Sequence, residues 1–154
     1  YKMGLKADGL FHDVDDREGT ELTLSGNGAR PHVNGIMYGE ANAIAKIAAR
    51  CGRQDLAAAF EERAERLAEN VRNKLWNSQK GFFTVLADDG SQSEICELHG
   101  YTPWYYFPKM AAKYDSTWRQ LVDPEGFLAP FGPTTAVTPG PKSNSVRSAK
   151  LLKP

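Results

Sequence analysis

Apolar residues recur at steps of three and four along two consecutive stretches of this chain. The first stretch lies between Pro31 and Gly52, and its apolar stripe contains Val33, Met37, Ala41, Ile44 and Ala48, flanked by Ile36 and Ile47. That period is typical of an amphipathic α-helix. Pro31 suits the first helical turn, and Gly52 suits the position just beyond a helix end. The pattern therefore predicts one helix between these two residues.

The second stretch repeats the period after a very short link. Its apolar face comprises Leu56, Phe60, Ala64, Leu67, Val71 and Leu75. The opposite face carries the charged residues 61–66, in which Glu62 and Arg66 have the favourable i,i+4 spacing. Two amphipathic helices joined by so few residues are expected to pack antiparallel, as an αα-hairpin.

The segment before the hairpin has no helical period. Residues 1–30 contain the turn signals Asp8-Gly9 and Gly-Asn-Gly at 26–28, so we expect loops and short extended pieces there. After the hairpin, residues 81–86 are rich in aromatic and β-branched side chains and precede an Asp-Asp-Gly-Ser turn signal at 88–91. This combination predicts a short extended segment that ends in a turn.

The last third of the chain predicts shorter elements. A third helix is expected to start near Ser93 and to be broken by Pro103, and a short fourth helix covers residues 116–122. Residues 123–136 are rich in proline and glycine and predict a shaped loop. We place the domain at residues 1–136, and we expect 137–154 to be a disordered or altered tail because it lacks apolar periodicity.

Composition indicates an ordinary globular protein. Of the 154 residues, 41% are apolar and 25% are charged, and the formal net charge is zero, which argues against a dedicated nucleic-acid binder. No apolar run reaches the roughly 18 residues of a membrane helix. The chain begins at Tyr1 with no basic-then-apolar leader, so we expect a fragment and leave its localisation open.

The cysteines and histidines give no support for a metal site. Cys51 and Cys96 lack the C-x-x-C spacing, and we expect both to be buried as small apolar residues. His12, His32 and His99 are scattered without a paired ligand spacing. No metal and no other cofactor is therefore predicted.

The loop ahead of the first helix is crowded with acids: Asp15, Asp16, Glu18 and Glu21. A solvated acidic turn is the simplest interpretation of residue types alone. Glu21 differs from the others because it precedes the alternating sequence Leu-Thr-Leu at 22–24. A carboxyl held near apolar groups has a raised pKa, which a general acid needs.

Two further groups of residues suit a sugar ligand, although each has a structural alternative. Arg30, Asn34 and Tyr38 follow one another at steps of four, and they would either bind a hydroxyl-rich ligand or brace the loop. Aromatic residues are concentrated at 101–107 and continue with Phe127 and Phe131. Tyr101, Trp104 and Phe131 would stack on sugar rings or pack in the core.

Four motifs in order resemble one family: SGNGARPHVNGIMYGEANAIAKIA, LWNSQKGFF, ELHGYTPWYYFP and DPEGFLAPFGPTTA. Over roughly residues 8–136 the chain resembles the catalytic (α/α)6-barrel domain of mannosylglycerate hydrolase-like glycosidases, in the clan of glycoside hydrolase family 63 and trehalases. The resemblance implies an all-α fold, an incomplete (α/α)6 toroid of the six-hairpin type, completed by the remainder of the same barrel domain. It also implies a loop-rich N-terminal part with short extended segments.

The resemblance further implies hydrolysis of O-glycosidic bonds by two carboxylic acids with inversion. The family's acidic motif x-G-x-[DE]-x-S corresponds to residues 18–23, and it places the general acid on Glu21. Thr23 stands where the motif has serine, and it keeps the hydroxyl. The implied partner is a carbohydrate substrate, with no nucleic acid and no membrane.

The general base has no matching motif in this chain. Glu97 is the best internal substitute, and we expect the base itself to come from another segment of the barrel. Two other functions stay open from the residues: a sugar epimerase or isomerase on the same toroid, which His99 beside the aromatic cluster would suit, and a non-catalytic helical scaffold.

Overall fold

The computed structural model describes residues 4–15, 23–107, 110–129, 132–133 and 136–137. In these parts of the chain, a helical hairpin packs against short antiparallel strands and an aromatic segment. The α-helices are α1 (Pro31–Arg50), α2 (Gln54–Asn70) and α3 (Thr102–Tyr106). A π-helical turn spans Val71–Leu75, and 3-10 helices span Leu98–Tyr101 and Ala112–Val122.

The strands are each two or three residues long. They are β1 (Gly4–Leu5), β2 (Phe11–Asp13), β3 (Gly28–Ala29), β4 (Trp76–Asn77), β5 (Phe82–Phe83), β6 (Leu86–Ala87), β7 (Cys96–Glu97), β8 (Leu128–Ala129), β9 (Gly132–Pro133) and β10 (Ala136–Val137). One antiparallel sheet has the order β1-β2-β3-β6, and β4-β5, β7-β10 and β8-β9 form separate pairs.

Helix α1 begins and ends where the sequence predicts. Arg30 is extended, and Pro31 opens the first turn, where a missing N–H costs nothing. At the other end, Gly52 has a φ of 71°, the left-handed conformation that commonly terminates a helix. The chain then turns directly into α2.

Helices α1 and α2 form the predicted antiparallel hairpin, the most extensive packing between elements in the described part of the chain. The apolar face of α2 is buried at Ala64 and Leu67, and it continues as Val71 and Leu75 through the π-helical turn. The predicted Glu62–Arg66 ion pair is present on the exposed face. The main core cluster lies between this hairpin, Leu10 of the N-terminal turn and the aromatic rings of Phe83, Phe107 and Tyr114.

Several predictions about individual residues are wrong. Ile36, Ile44 and Ile47 are exposed, whereas Val33 and Ala48 of the predicted stripe are buried. Tyr38 and Ala45, which the stripe did not include, are buried with them, so the core face is shifted rather than replaced. Cys51 is exposed as well, since it lies in the turn between the helices, whereas Cys96 is buried as expected.

The expected helix from Ser93 to Pro103 is absent. Cys96 and Glu97 pair as a strand with β10, and the helical segments start only at Leu98. Pro103 lies in the first turn of α3 and does not break a helix, because a proline is accommodated in that turn. The fourth helix is confirmed in position as a 3-10 helix, and the extended segment around Phe82 is confirmed as β5 and β6.

The predicted fold class is confirmed in part. Helices dominate the described residues, but the small antiparallel sheet makes "all-α" too narrow a description. None of the described helices is both long enough and apolar enough to cross a bilayer.

Candidate active site

The candidate site is the loop of residues 14–27 between β2 and β3, together with the side chains that hold it. We call this segment the β2–β3 loop; residues 16–22, including Glu21, lie outside the described residues. Strands β2 and β3 pair with Asp13 opposite Gly28, so the loop leaves and re-enters the sheet at adjacent positions. Both ends of the loop, and the groups that fix them, are among the described residues.

Arg30 fixes the first of these ends. Its side chain is fully buried at the start of α1, and Nη2 donates to Asp15 Oδ1 at 2.8 Å and to the Gly26 carbonyl at 2.7 Å. The same Asp15 oxygen accepts from the Thr23 amide at 3.2 Å and the Thr23 hydroxyl at 2.7 Å. Asp15 thus closes the base of the loop across the segment that contains Glu21.

These bonds keep Asp15 ionised. Burial alone would raise the pKa of Asp15, but hydrogen bonds from Arg30 and Thr23, together with the charge of Arg30, lower it to about 2. A carboxylate with this pKa holds no proton at neutral pH. Asp15 is therefore unsuited to be a general acid and well suited to be a fixed acceptor.

Glu97 holds the second end of the loop. This side chain is buried at the end of β7, where Oε1 accepts from the Leu24 amide at 3.0 Å and Oε2 accepts from the Ser25 hydroxyl at 2.5 Å. His99 Nε2 is 3.2 Å from the same Oε2. Burial would raise the pKa of Glu97, but the bonds from His99, Ser25 and Leu24 lower it below its ordinary value.

Two histidines lie side by side next to this carboxylate. The rings of His32, in the first turn of α1, and His99 have centroids 4.9 Å apart. Both side chains are largely buried, and His99 Nδ1 has no hydrogen-bond partner among the described residues. The start of α1 and the segment after β7 therefore meet beside the β2–β3 loop.

Asn34 joins α1 to the sheet. This fully buried side chain accepts from the Phe11 amide at 2.8 Å and donates to the Phe11 carbonyl at 2.9 Å. It also donates to the Arg30 carbonyl at 2.9 Å. An amide with two donors and one acceptor is almost fully used by these contacts. Asn34 thus fixes β2, and with it the start of the loop, against the first turns of α1.

Residues 4–142 match the family model described as "Mannosylglycerate hydrolase MGH1-like glycoside hydrolase domain". The chain belongs to this family. A solved structure named "Sialidase" is similar to it at 36% sequence identity, with a TM-score of 0.80. The match covers 86% of this chain but only 13% of the sialidase-named chain, and no curated protein matches.

Within this MGH1-like domain, the residues at steps of four on α1 make structural contacts. Arg30 and Asn34 brace the loop and the sheet, which is one of the two roles predicted for them. Tyr38 is buried, and its ring meets the edge of Phe107 at a centroid distance of 4.5 Å. Contact of these three residues with a substrate stays a prediction.

The aromatic residues of the MGH1-like domain are packed against one another. Tyr101 donates its hydroxyl to the Thr117 carbonyl at 3.0 Å, and burial raises its pKa to about 12. Trp104 meets the rings of Phe83, Tyr101, Tyr114 and Trp118. Trp104 also lines a groove of about 720 Å³ beside Tyr38 and Lys46. Phe131, like Glu21, lies outside the described residues.

Sequence reasoning missed the roles of Asp15 and Ser25. The sequence carried no usable signal for them, because the burial of Arg30, which requires a carboxylate or carbonyl partner, is visible only in the structure. Which of four nearby acids Arg30 would select is decided by the tertiary structure. The described residues contain no cluster of three or more His, Cys, Asp or Glu side chains suited to a metal ion.

Proposed function

We propose that the protein containing this chain hydrolyses O-glycosidic bonds with inversion, and that Glu21 is its general acid. The observation that carries the proposal is the match of residues 4–142 to a glycoside hydrolase domain family. In an inverting reaction, one protonated carboxyl donates to the leaving oxygen while a second carboxylate activates water. The two groups stand roughly 6.5–9.5 Å apart.

The geometry of the loop supports Glu21 in this role. The two described acids that bond to the ends of the loop, Asp15 and Glu97, both have lowered pKa values and accept several hydrogen bonds. Neither carries the proton that a general acid must donate. In the sequence, Glu21 stands between Asp15 and Thr23, two residues that are hydrogen-bonded to each other.

The general base is assigned to another part of the catalytic domain. The chain spans 13% of the sialidase-named structure, so further segments of such a domain are available to supply it. We propose that the α1–α2 hairpin is one of six in an (α/α)6 toroid, with this carboxylate on another hairpin. The substrate is a carbohydrate, and the family description makes mannosides the first class to test.

A sugar epimerase is the second candidate, favoured by the contact between His32 and His99 beside Glu97. An imidazole next to a carboxylate can remove a proton from a sugar carbon. The family match favours hydrolysis over this alternative.

Product analysis tests the proposal. The full-length protein is incubated with a panel of nitrophenyl glycosides that begins with mannosides and includes sialosides, and with the free sugars. Release of nitrophenol together with the inverted anomer, followed by NMR, is the expected result. Epimerised free sugar without nitrophenol release would favour the second candidate, and no reaction with any member of the panel would count against both.

A further inference from the structure

We infer that Glu97 is a positioning residue for the general acid, because it holds the flank of the β2–β3 loop next to Glu21. This inference rests on the proposed role of Glu21. Glu97 contacts Leu24 and Ser25, which follow Glu21 by three and four residues. Three residues of extended chain span at most about 11 Å, which is the longest separation that the covalent chain allows between the anchored Leu24 and Glu21.

Glu97 lies on a strand that is held by pairing and by core packing. Its strand pairs with β10, with Glu97 opposite Ala136, and its neighbour Cys96 is buried in a second core cluster with Phe82 and Phe127. Just beyond it, the backbone at Gly100 lies so close to the Phe82 ring that an added Cβ would be 2.1 Å from a ring carbon. A carboxylate on such a support can transmit a defined position to the loop.

The contacts of Glu97 are those of an anchor rather than of a base. An ionised carboxylate only accepts hydrogen bonds, and here the backbone of Leu24, the hydroxyl of Ser25 and the ring of His99 all approach it. Its side chain is 8% exposed. A general base must direct an oxygen toward an attacking water, and in Glu97 both oxygens are already directed at the loop.

The anchor also explains why a charge is buried at this point. Burying a carboxylate is costly unless hydrogen bonds compensate, and bonds to an ionised acceptor are stronger than neutral ones. The Glu97 carboxylate accepts from Leu24 and Ser25 on the loop and from His99 on the segment after β7. The arrangement selects one conformation of the loop end, and a displacement of about 1 Å at a reacting group costs roughly 100-fold in rate.

Two substrates that differ only in their leaving group distinguish a mispositioned general acid from a general loss of enzyme activity. A phenyl glycoside needs protonation of its leaving oxygen, whereas a dinitrophenyl glycoside of the same sugar departs without it. The full-length protein is compared with Glu97→Gln, Ser25→Ala and Ser25→Thr. The matched control is Glu94→Gln, which alters an exposed carboxylate paired with Lys80.

We expect Glu97→Gln to lower kcat/KM for the phenyl glycoside by about 100-fold and to leave the dinitrophenyl glycoside nearly unchanged. Ser25→Ala keeps the Glu97 carboxylate but removes one of its donors, and we expect it to lower kcat/KM for the phenyl glycoside alone by about tenfold. Ser25→Thr keeps a hydroxyl at this position, and we expect it to have the wild-type kcat/KM. If Glu97→Gln does not fold, the two Ser25 variants decide. Glu94→Gln behaves as the wild type.

Equal losses on both substrates, or no loss on either, overturn the positioning role. A large equal loss in Glu97→Gln with no effect of Ser25→Ala would instead assign Glu97 to water activation. The variant Glu21→Gln separates this failure from failure of the proposed function. Glu21→Gln must itself lose activity on the phenyl glycoside and keep activity on the dinitrophenyl glycoside. If it does not, the general-acid assignment is wrong, independently of the result for Glu97→Gln.

Discussion

The guanidinium of Arg30 lies 2.8 Å from the carboxylate of Asp15, and the segment that contains Glu21 lies between Asp15 and Thr23, which the same carboxylate binds. The Arg30 side chain is fully buried, whereas the Asp15 side chain is 25% exposed. The buried guanidinium of Arg30 thus links the two ends of the β2–β3 loop, at Asp15 and Gly26. Its removal takes the Arg30 donor away from the Gly26 carbonyl and from Asp15, to which only Thr23 then donates among the bonds described above.

Arg30→Met is therefore expected to destabilise the protein by about 2 kcal/mol, because the Gly26 carbonyl and the partly exposed Asp15 lose a charged hydrogen-bond donor. Chemical denaturation of the full-length protein measures the change. The control is Arg53→Met, because Arg53 forms an exposed pair with Asp55 at 3.7 Å and should contribute less than about 0.5 kcal/mol. Equal effects of the two substitutions would contradict the assigned role of Arg30.

The Asp15 carboxylate gives stability a defined dependence on pH. Its pKa falls from 3.8 to about 2 in the folded protein, so the unfolded chain binds more protons in this range. The stabilisation is complete above pH 3.8 and is lost as the pH falls through about 2. Asp15→Asn should flatten this part of the stability profile, and the exposed control Asp55→Asn should not. A profile unchanged by Asp15→Asn would count against the ion pair.

Gly28 sets the spacing of the strand on which the loop ends. A Cβ at this position would lie 2.3 Å from the Leu86 carbonyl oxygen, and its φ is 151°. Gly28→Ala must therefore push β3 away from β6, at a cost of at least about 2 kcal/mol. Gly90→Ala is the control, since Gly90 has a positive φ of 85° but open space around its Cα. A smaller shift in the thermal midpoint for Gly28→Ala than for Gly90→Ala would be inconsistent with this close approach.

His12 links the N-terminal strands to the turn after β6. Its Nε2 is 2.7 Å from Asp8 and its Nδ1 is 2.8 Å from Asp88, and the His12 side chain is buried. Asp88 also pairs with Lys6, but both of those side chains are about half exposed. Double-mutant cycles should give a coupling of about 1 kcal/mol between His12 and Asp8, and less between Lys6 and Asp88. The reverse order would show that the buried histidine adds nothing.

The helical hairpin could be predicted from the sequence because its determinants are local. The period of apolar residues, Pro31 at the start and Gly52 at the end all act within a few residues of the chain. Strand β7 could not be predicted in the same way, because its partner β10 lies about forty residues further on and no local period marks either one.

The same distinction applies to the candidate site. The sequence motif points to Glu21, but it gives no indication that Asp15 would meet Arg30 or that Glu97 would bind Leu24 across 73 residues. Such polar contacts are specified by the tertiary fold and not by spacing along the chain. Exposure of Ile36 and Ile47 likewise depends on which elements cover α1, which periodicity alone does not reveal.

The central claim, that Glu21 donates the proton to the leaving group, is tested most directly by comparing Glu21→Gln with Glu18→Gln in the full-length protein. The measurement is kcat/KM on a phenyl glycoside of the sugar that the protein hydrolyses. We expect Glu21→Gln to lower kcat/KM by about 1,000-fold, in the range of general acid catalysis, and Glu18→Gln to retain the wild-type kcat/KM. Wild-type turnover by Glu21→Gln, or a comparable loss in Glu18→Gln, would contradict the assignment.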